Sequence, residues 1–389
     1  MKKLLTLLLV LAMAVTLLSA CGSTEIRSYQ SDAAAEAGED LFANALAAYA
    51  PDTLVATAAG SPVYWNEYAY WLATIGSQMA YPDENGNIDW NAAEGSAEPL
   101  GVSLRAAVQD SMLQYHIIEA MAAEEGIEFD DAGTEFVESM IQEGIASVAG
   151  EEGTEEDFQT YLKDYYLDMD VLRYQGRIQY LYTKLFEAKF GADGEKVSDK
   201  DIAEYVSENG LLYAKHILYS FTDEEGNPID DAAKAEQLKK AEAAVKTLRA
   251  AKDDAAREAK FDEIMNAESQ DPGLAYYPDG YVFGPNEMMK EFEDGTAALK
   301  DYEVSDPVET SAGYHVILRL PLKADTVVAK DNSGADITLR NQVAMHSFND
   351  LANARMEEAE IVWEKGFENL NLNKVFQSKS GGFFSKLFG

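Results

Sequence analysis

A chain of 389 residues is longer than one average domain, and its 47% hydrophobic content supplies sizeable cores and excludes wholesale disorder. Its 69 acidic residues outweigh 31 basic ones and leave a formal net charge of -38. Such a surface repels phosphate backbones and anionic headgroups, which argues against nucleic-acid binding.

The chain opens on Lys2 and Lys3, followed by an apolar run from Leu4 to Leu18. That run falls short of the roughly 20 residues a membrane span needs and reads as a secretory signal peptide over 1–20. It ends in Leu18-Ser19-Ala20-Cys21, which resembles the lipobox of bacterial lipoproteins. Cys21 is the chain's one cysteine, so no internal disulfide can form. The resemblance implies lipidation of Cys21 as the mature N-terminus and a place on the extracytoplasmic face of the cell membrane. Acyl chains anchor at about 0.8 kcal/mol per buried CH₂. Residues 21–50 are small, polar and Ala-rich and read as a flexible tether.

Val55 to Ala58 and Val63-Tyr64, around Gly60-Ser61-Pro62, suggest a short hairpin, and Trp65 to Met79 a helix. From 103 to 190 the period is helical. Leu104, Val108, Met112, Tyr115 and Ile118 form one core-facing stripe, and Phe136, Met140, Ile141, Ile145 and Val148 a second. Thr154 to Asp157 reads as a capping box, with Phe158, Tyr161, Leu162 and Tyr165 on one face of the helix it opens. Ser198 to Asp201 caps one more helix, which ends near Asn209-Gly210.

At 211 the texture changes. Leu212 to Tyr219 reads as a strand, Ala232 to Ala250 and Ala255 to Ala267 as helices, Asp271 to Pro285 as a Gly/Pro-rich loop, and Tyr314 to Leu320 as β-rich. After Pro321 the pattern turns helical again. Leu339 to Glu358 suits a helix carrying Val343, Phe348, Leu351 and Met356, and Ile361 to Trp363 a strand. This order, helical then mixed then helical, is that of a domain inserted between flanks that pack on each other. The expected divisions are 51–210 helical, 211–322 mixed, 323–375 a helical segment returning to the first, and 376–389 a flexible apolar tail.

Four histidines are present, and two bracket the mixed region in Ala214-Lys215-His216-Ile217-Leu218 and Ser311-Ala312-Gly313-Tyr314-His315-Val316-Ile317. Between them lie Glu268 to Gly273, Gly280-Tyr281-Val282-Phe283-Gly284, Glu287 to Glu293, Ala298-Leu299-Lys300 and Val304 to Val308. In these ordered motifs the chain resembles the parvulin (PpiC-type) rotamase family over about residues 211–322. With its lipobox and helical flanks it is similar to the PrsA-type lipoprotein foldases, related to SurA-type chaperones.

The resemblance implies an α+β fold: a small antiparallel sheet wrapped by helices in βαααβαββ order, inserted between mostly α-helical, chaperone-like segments. It places the family's paired histidines on His216 and His315, its central Cys-or-Asp on Asp271, and a hydrogen-bonding hydroxyl on Thr310. Met288 and Phe292, from one short helix, and Phe283 would form the proline pocket. The stretch Pro278-Asp279-Gly280-Tyr281-Val282 departs from the family's frequent Gly-Gly-Asp-Leu-Gly. His116 and His346 read as structural.

The implied activity is cis/trans isomerisation of X–Pro bonds in unfolded or partly folded exported polypeptides. That reaction requires neither nucleophile nor metal, and four scattered histidines with one cysteine offer no typical ligand spacing; no cofactor is expected. A holding chaperone with a catalytically weak central domain, and a solute-binding lipoprotein, are the other readings. The helical flanks offer a surface for a homodimer, which the sequence does not demand.

Overall fold

The computed structural model describes residues 40–83, 87–93, 98–150, 152–331 and 334–376. The signal peptide, Cys21, most of the expected tether and the tail beyond Phe376 lie outside the described residues. The chain divides into two compact units, one of residues 1–191 and 346–389, the other of residues 192–345.

In the first unit, strand β1 (Leu54–Ala58) pairs antiparallel with β2 (Ser61–Tyr64) on one side and with β9 (Ile361–Trp363) on the other. The C-terminal flank thus returns to the N-terminal one through backbone hydrogen bonds. Against this sheet pack α2 (Trp65–Met79) and α3 (Leu100–Glu124), and α4 (Asp131–Ala149), α5 (Glu155–Leu162) and α6 (Met169–Phe190) extend the packing from helix to helix. The Thr154 hydroxyl accepts from the Asp157 N–H and the Asp157 carboxylate accepts from the Thr154 N–H, satisfying two donors that a helix start leaves free. The stripe Leu104, Val108, Met112, Tyr115 and Ile118 is buried.

Two stripes are rotated from their expected faces. On α4 the buried residues are Val137, Ile141, Gly144 and Ile145, while Phe136 is exposed. Gly144 leaves room for the Phe158 ring, whose tip lies 2.6 Å from where a Cβ would sit. On α11 (Leu339–Glu358) Val343, Ala344, Phe348 and Ala352 face inward and Leu351 outward. In both, small residues let a neighbour approach more closely than a large apolar one would.

The expected tether and tail are also partly packed. Leu41, Phe42 and Ala45 are buried, on or beside the short helix α1 (Ala43–Leu46), and the Trp65 indole donates to the Ala45 carbonyl. Phe376 is buried too, stacked on Trp90 and set edge-on to Phe42. His116 is buried against the Glu67 carboxylate, and His346 pairs with Asp350 one turn along its helix.

The second unit contains α7 (Asp199–Glu208) and a four-stranded antiparallel sheet in the order β4-β3-β6-β5. Its strands are β3 (Leu212–Ser220), β4 (Tyr281–Phe283), β5 (Val308–Glu309) and β6 (Gly313–Arg319). Helices α8 (Asp231–Arg249) and α9 (Asp254–Glu268) cover one face. There Ile217, Tyr219, Val316 and Leu318 pack with Ala241, Val245, Leu248, Phe261 and Met265. Because side chains alternate along a strand, His216 and His315 point to the other face, where α10 (Lys290–Ala297) lies. The resemblance implies a third helix before β4; Pro272 to Ala275 makes a single 3₁₀ turn capped by Asp271, and Gly273 disfavours its continuation. A hairpin of β7 (Val327–Lys330) and β8 (Asp336–Thr338) precedes α11.

The unit boundaries fall before 210 and after 322. Helix α7 and the start of α11 belong with the sheet unit because the Arg340 guanidinium binds the Val197 carbonyl and Asp199, and Gln342 donates to the Tyr205 hydroxyl. Phe261→Ala should lower the stability of this unit by about 3–5 kcal/mol, whereas Leu351→Ala should change stability by no more than about 0.5 kcal/mol. Urea unfolding of the two variants checks this, and comparable losses would contradict the burial pattern.

Candidate active site

The site is assembled by strand register. In the β3–β6 ladder His216 lies opposite Ile317 and Leu218 opposite His315, so the two histidines are diagonal neighbours on one face. Diagonal pairs are within reach of ring side chains, and the Nδ1 atoms of His216 and His315 approach to 3.0 Å. Thr310, in the turn before β6, brings its Oγ1 to 2.9 Å from His315 Nε2 and accepts the Ala312 N–H.

Asp271 reaches this face because the segment after α9 is fastened along β3. The Gln270 N–H donates to the Leu218 carbonyl, the Leu218 N–H to Ser269 Oγ, and the Ser220 N–H to Gln270 Oε1. That places Asp271 Oδ2 at 3.0 Å from His216 Nε2 and 2.7 Å from the Tyr281 hydroxyl, while Oδ1 accepts the Gly273 N–H.

Met288, Phe283 and Phe292 share an apolar cluster with Ala214 and Ile317. Phe292 stands edge-on to both imidazoles, with ring centroids 5.2 and 5.4 Å away. Phe283 is fully buried beneath Phe292 and forms a floor more than a wall. The expectation that Met288 and Phe292 share one helix does not hold. Met288 precedes α10, where its N–H donates to the Glu293 carboxylate, and Phe292 lies in the first helical turn. The helix starts late because Met289, in extended conformation, is its N-terminal boundary residue.

Electrostatics sharpen the picture. Burial pushes the Asp271 carboxyl up, but hydrogen bonds from His216, Tyr281 and the Gly273 N–H overcome it and hold it down at about 2. Burial, and then the neighbouring His216, push His315 down to about 4 against the pull of Asp271. Asp271 as an anion only accepts, so His216 donates to it through Nε2. Of the two facing Nδ1 atoms one donates and the other accepts, and Thr310 bonds the far nitrogen of His315. The face carries the Asp271 charge at one end and an uncharged His315 beside an apolar wall. Among the described residues no group of three or more potential ligands stands close enough to hold a metal.

His216, His315, Asp271 and Thr310 are thus brought into one network, with Met288 and Phe292 beside it. Three members were not anticipated: Tyr281, Gly273 and Ser269. Tyr281 lies inside a stretch that reads locally as loop, and only its pairing opposite Ala214 turns it toward His216.

The site is therefore a hydrogen-bonded row running from the Asp271 anion through two imidazoles to a hydroxyl, set against an apolar wall. Residues 216–320 match the family described as rotamase, PPIC-type PPIASE domain. Peptidyl-prolyl cis-trans isomerase Pin1 of Malus domestica is 37% identical over 123 residues, which span 29% of this chain and 96% of that protein. The chain belongs to this parvulin, or PpiC-type, peptidyl-prolyl isomerase family.

It is also similar to the foldase protein PrsA of Geobacillus sp. (strain WCH70), 36% identical over 137 residues, and to that of Oceanobacillus iheyensis, 26% identical over 211 residues. These matches span 34% and 54% of this chain and 41% and 58% of those proteins, so less than two thirds of either relative is covered.

The His315 shift has a measurable consequence. An unfolded histidine takes up its proton as pH falls through about 6.5, whereas the folded ring takes it up only near 4. Between those values the unfolded state binds more protons, so stability falls as pH drops from 6.5 to 4. Asp271 adds a further loss as pH falls from 3.8 toward 2. Ring-proton NMR should show His315 titrating near pH 4, and denaturant unfolding should show declining stability over the upper window. An ordinary midpoint near 6.5 would contradict the burial that holds His315 down.

Proposed function

We propose that the chain is a peptidyl-prolyl cis/trans isomerase and foldase that assists exported polypeptides outside the cytoplasmic membrane, with catalysis by the region 211–322. The observation carrying this reading is the 3.0 Å contact between His216 and His315 beside Phe292 and Met288. Rotation about X–Pro faces a barrier of roughly 18–20 kcal/mol from amide resonance. The twisted amide has lost that resonance, so its carbonyl is less polar. An apolar notch that grips the pyrrolidine ring, and a negative charge that disfavours a polarised carbonyl, both lower the barrier. Met288 and Phe292 supply the grip, with Phe283 behind them. Asp271 supplies the charge, and the histidine pair with Thr310 fixes its direction.

The foldase role is supported by the similarity to the PrsA proteins, and client chains bearing X–Pro bonds are the partners that chemistry requires. Lys2, Lys3, the apolar run and the lipobox-like residues ending at Cys21 support a lipid anchor on the extracytoplasmic face. The mostly helical flanks on either side of the sheet unit are assigned to holding clients.

Exchange NMR on a proline-containing peptide tests the catalytic core. Wild type should accelerate exchange well above background. Met288→Ala and Phe292→Ala should lower kcat/KM by about tenfold or more, chiefly through KM, since each trims an apolar contact with the substrate. Asp271→Asn and Asp271→Ala should lower kcat. Background exchange in the presence of folded wild type would favour a holding chaperone instead, and full activity in both Asp271 variants would remove the electrostatic role.

A further inference from the structure

Asp271 has a partner that its place beside the histidines does not by itself require. We propose that Tyr281 is a positioning residue for the isomerisation reaction, its hydroxyl holding the Asp271 carboxylate in the orientation that faces the histidine pair. The inference rests on the isomerase reading above and adds to it a residue outside the expected set.

The placement is built into the sheet. Tyr281 opens β4 and lies opposite Ala214 of β3, so it is a diagonal neighbour of His216 on the same face. Gly280, just before it, has φ +103, and a Cβ there would stand 2.7 Å from the Ala214 carbonyl oxygen. The chain can enter β4 at this spot only with glycine. The Tyr281 ring then packs between Tyr277, at 4.9 Å, and His216, at 5.5 Å. Its hydroxyl is left 2.7 Å from Asp271 Oδ2, the same oxygen that accepts from His216 Nε2.

The space for this hydroxyl is reserved. A Cβ on Gly273 would lie 2.1 Å from Tyr281 Oη and 3.3 Å from Asp271 Oδ1. Gly273 therefore does two things: its N–H holds Oδ1, and its missing side chain admits the phenol to Oδ2. The result is a carboxylate with a donor on each oxygen besides the histidine, so it cannot rotate without breaking two bonds. A fixed carboxylate keeps a proton on His216 Nε2 and so orients the histidine pair. The tyrosine is chemically suited to the task. Burial and the adjacent Asp271 charge push its own ionisation up, so it stays a donor through the physiological range.

Tyr281→Phe keeps the ring and removes only the bond, and Gly273→Ala keeps the N–H while displacing the hydroxyl. In the full chain, the Asp271 carboxyl followed by ¹³C NMR should titrate about one to two pH units higher in either variant, as loss of a charge-assisted bond implies. The pH profile of peptide exchange should move its acidic limb the same way. At neutral pH kcat should fall about tenfold with KM unchanged, because the proline notch is untouched. Both variants should remain folded at the assay temperature, with the unfolding temperature lowered only by the few degrees that loss of one bond implies. An unaltered titration and kcat in Tyr281→Phe would overturn the inference while leaving the isomerase reading intact. An inactive wild type would defeat that reading and the reaction role with it, and the ¹³C shift would then report only the bond.

Discussion

The antiparallel register between β3 and β6 is the constraint from which the site follows. His216 and His315 are separated by 99 positions in the chain, and no local preference brings them together. What does is a ladder of pairs from Ala214 opposite Arg319 to Ser220 opposite Gly313. A slip of one residue would turn every side chain of β3 to the wrong face. The opposite face guards against that slip. Ile217, Tyr219, Val316 and Leu318 are buried under α8 and α9, and reversing the face would bury His216 and His315 there and expose those apolar side chains. The geometry of the candidate site is thus held by hydrophobic burial on the opposite side of the sheet.

The same division keeps charge in order. Lys215, next to His216 in sequence, points to the helical side, where Asp262 holds its ammonium at 2.7 Å. The site face consequently has Asp271 as its anion, opposed by no lysine from the strand. Donors from three directions stabilise that anion, and His315 beside it stays uncharged. Such an arrangement suits a reaction in which no proton is transferred and no bond is made, since the environment must only disfavour a planar, polarised amide. The large acidic excess of the whole chain does not bear on this step; its effect is on solubility and on long-range attraction.

The first unit achieves its closure in another way. The short β9 strand lies beside β1, with Trp363 opposite Ala56, and the Trp363 ring meets Tyr68 edge-on. Tyr182 and Phe186 pack against Phe348 from the returning helix, and Phe376 reaches Trp90 and Phe42. Aromatic residues dominate these joins because each covers a large area at low conformational cost. Two segments separated by the whole sheet unit therefore share one core, which lets a second unit be carried between them without interrupting either.

Helix boundaries were legible because their causes are local. Trp65 to Met79 and Leu339 to Glu358 follow from periodicity, and the starts at Glu155 and Asp199 from capping residues a few positions away. The ordered motifs around His216, Asp271 and His315 likewise marked residues that the fold brings together. The direction a helix faces was less legible. Phe136 and Leu351 look like core and are exposed, while the smaller Gly144, which admits the Phe158 ring, and Ala352 are buried. Strand β4 was hidden in a Gly- and Pro-rich stretch, since a three-residue strand carries no period of its own and exists through pairing with β3. Tyr281 escaped notice for the same reason. The sequence by itself determined which groups are available and where helices begin; the tertiary structure alone decided which carboxylate oxygen faces which ring, because that depends on contacts between residues far apart along the chain.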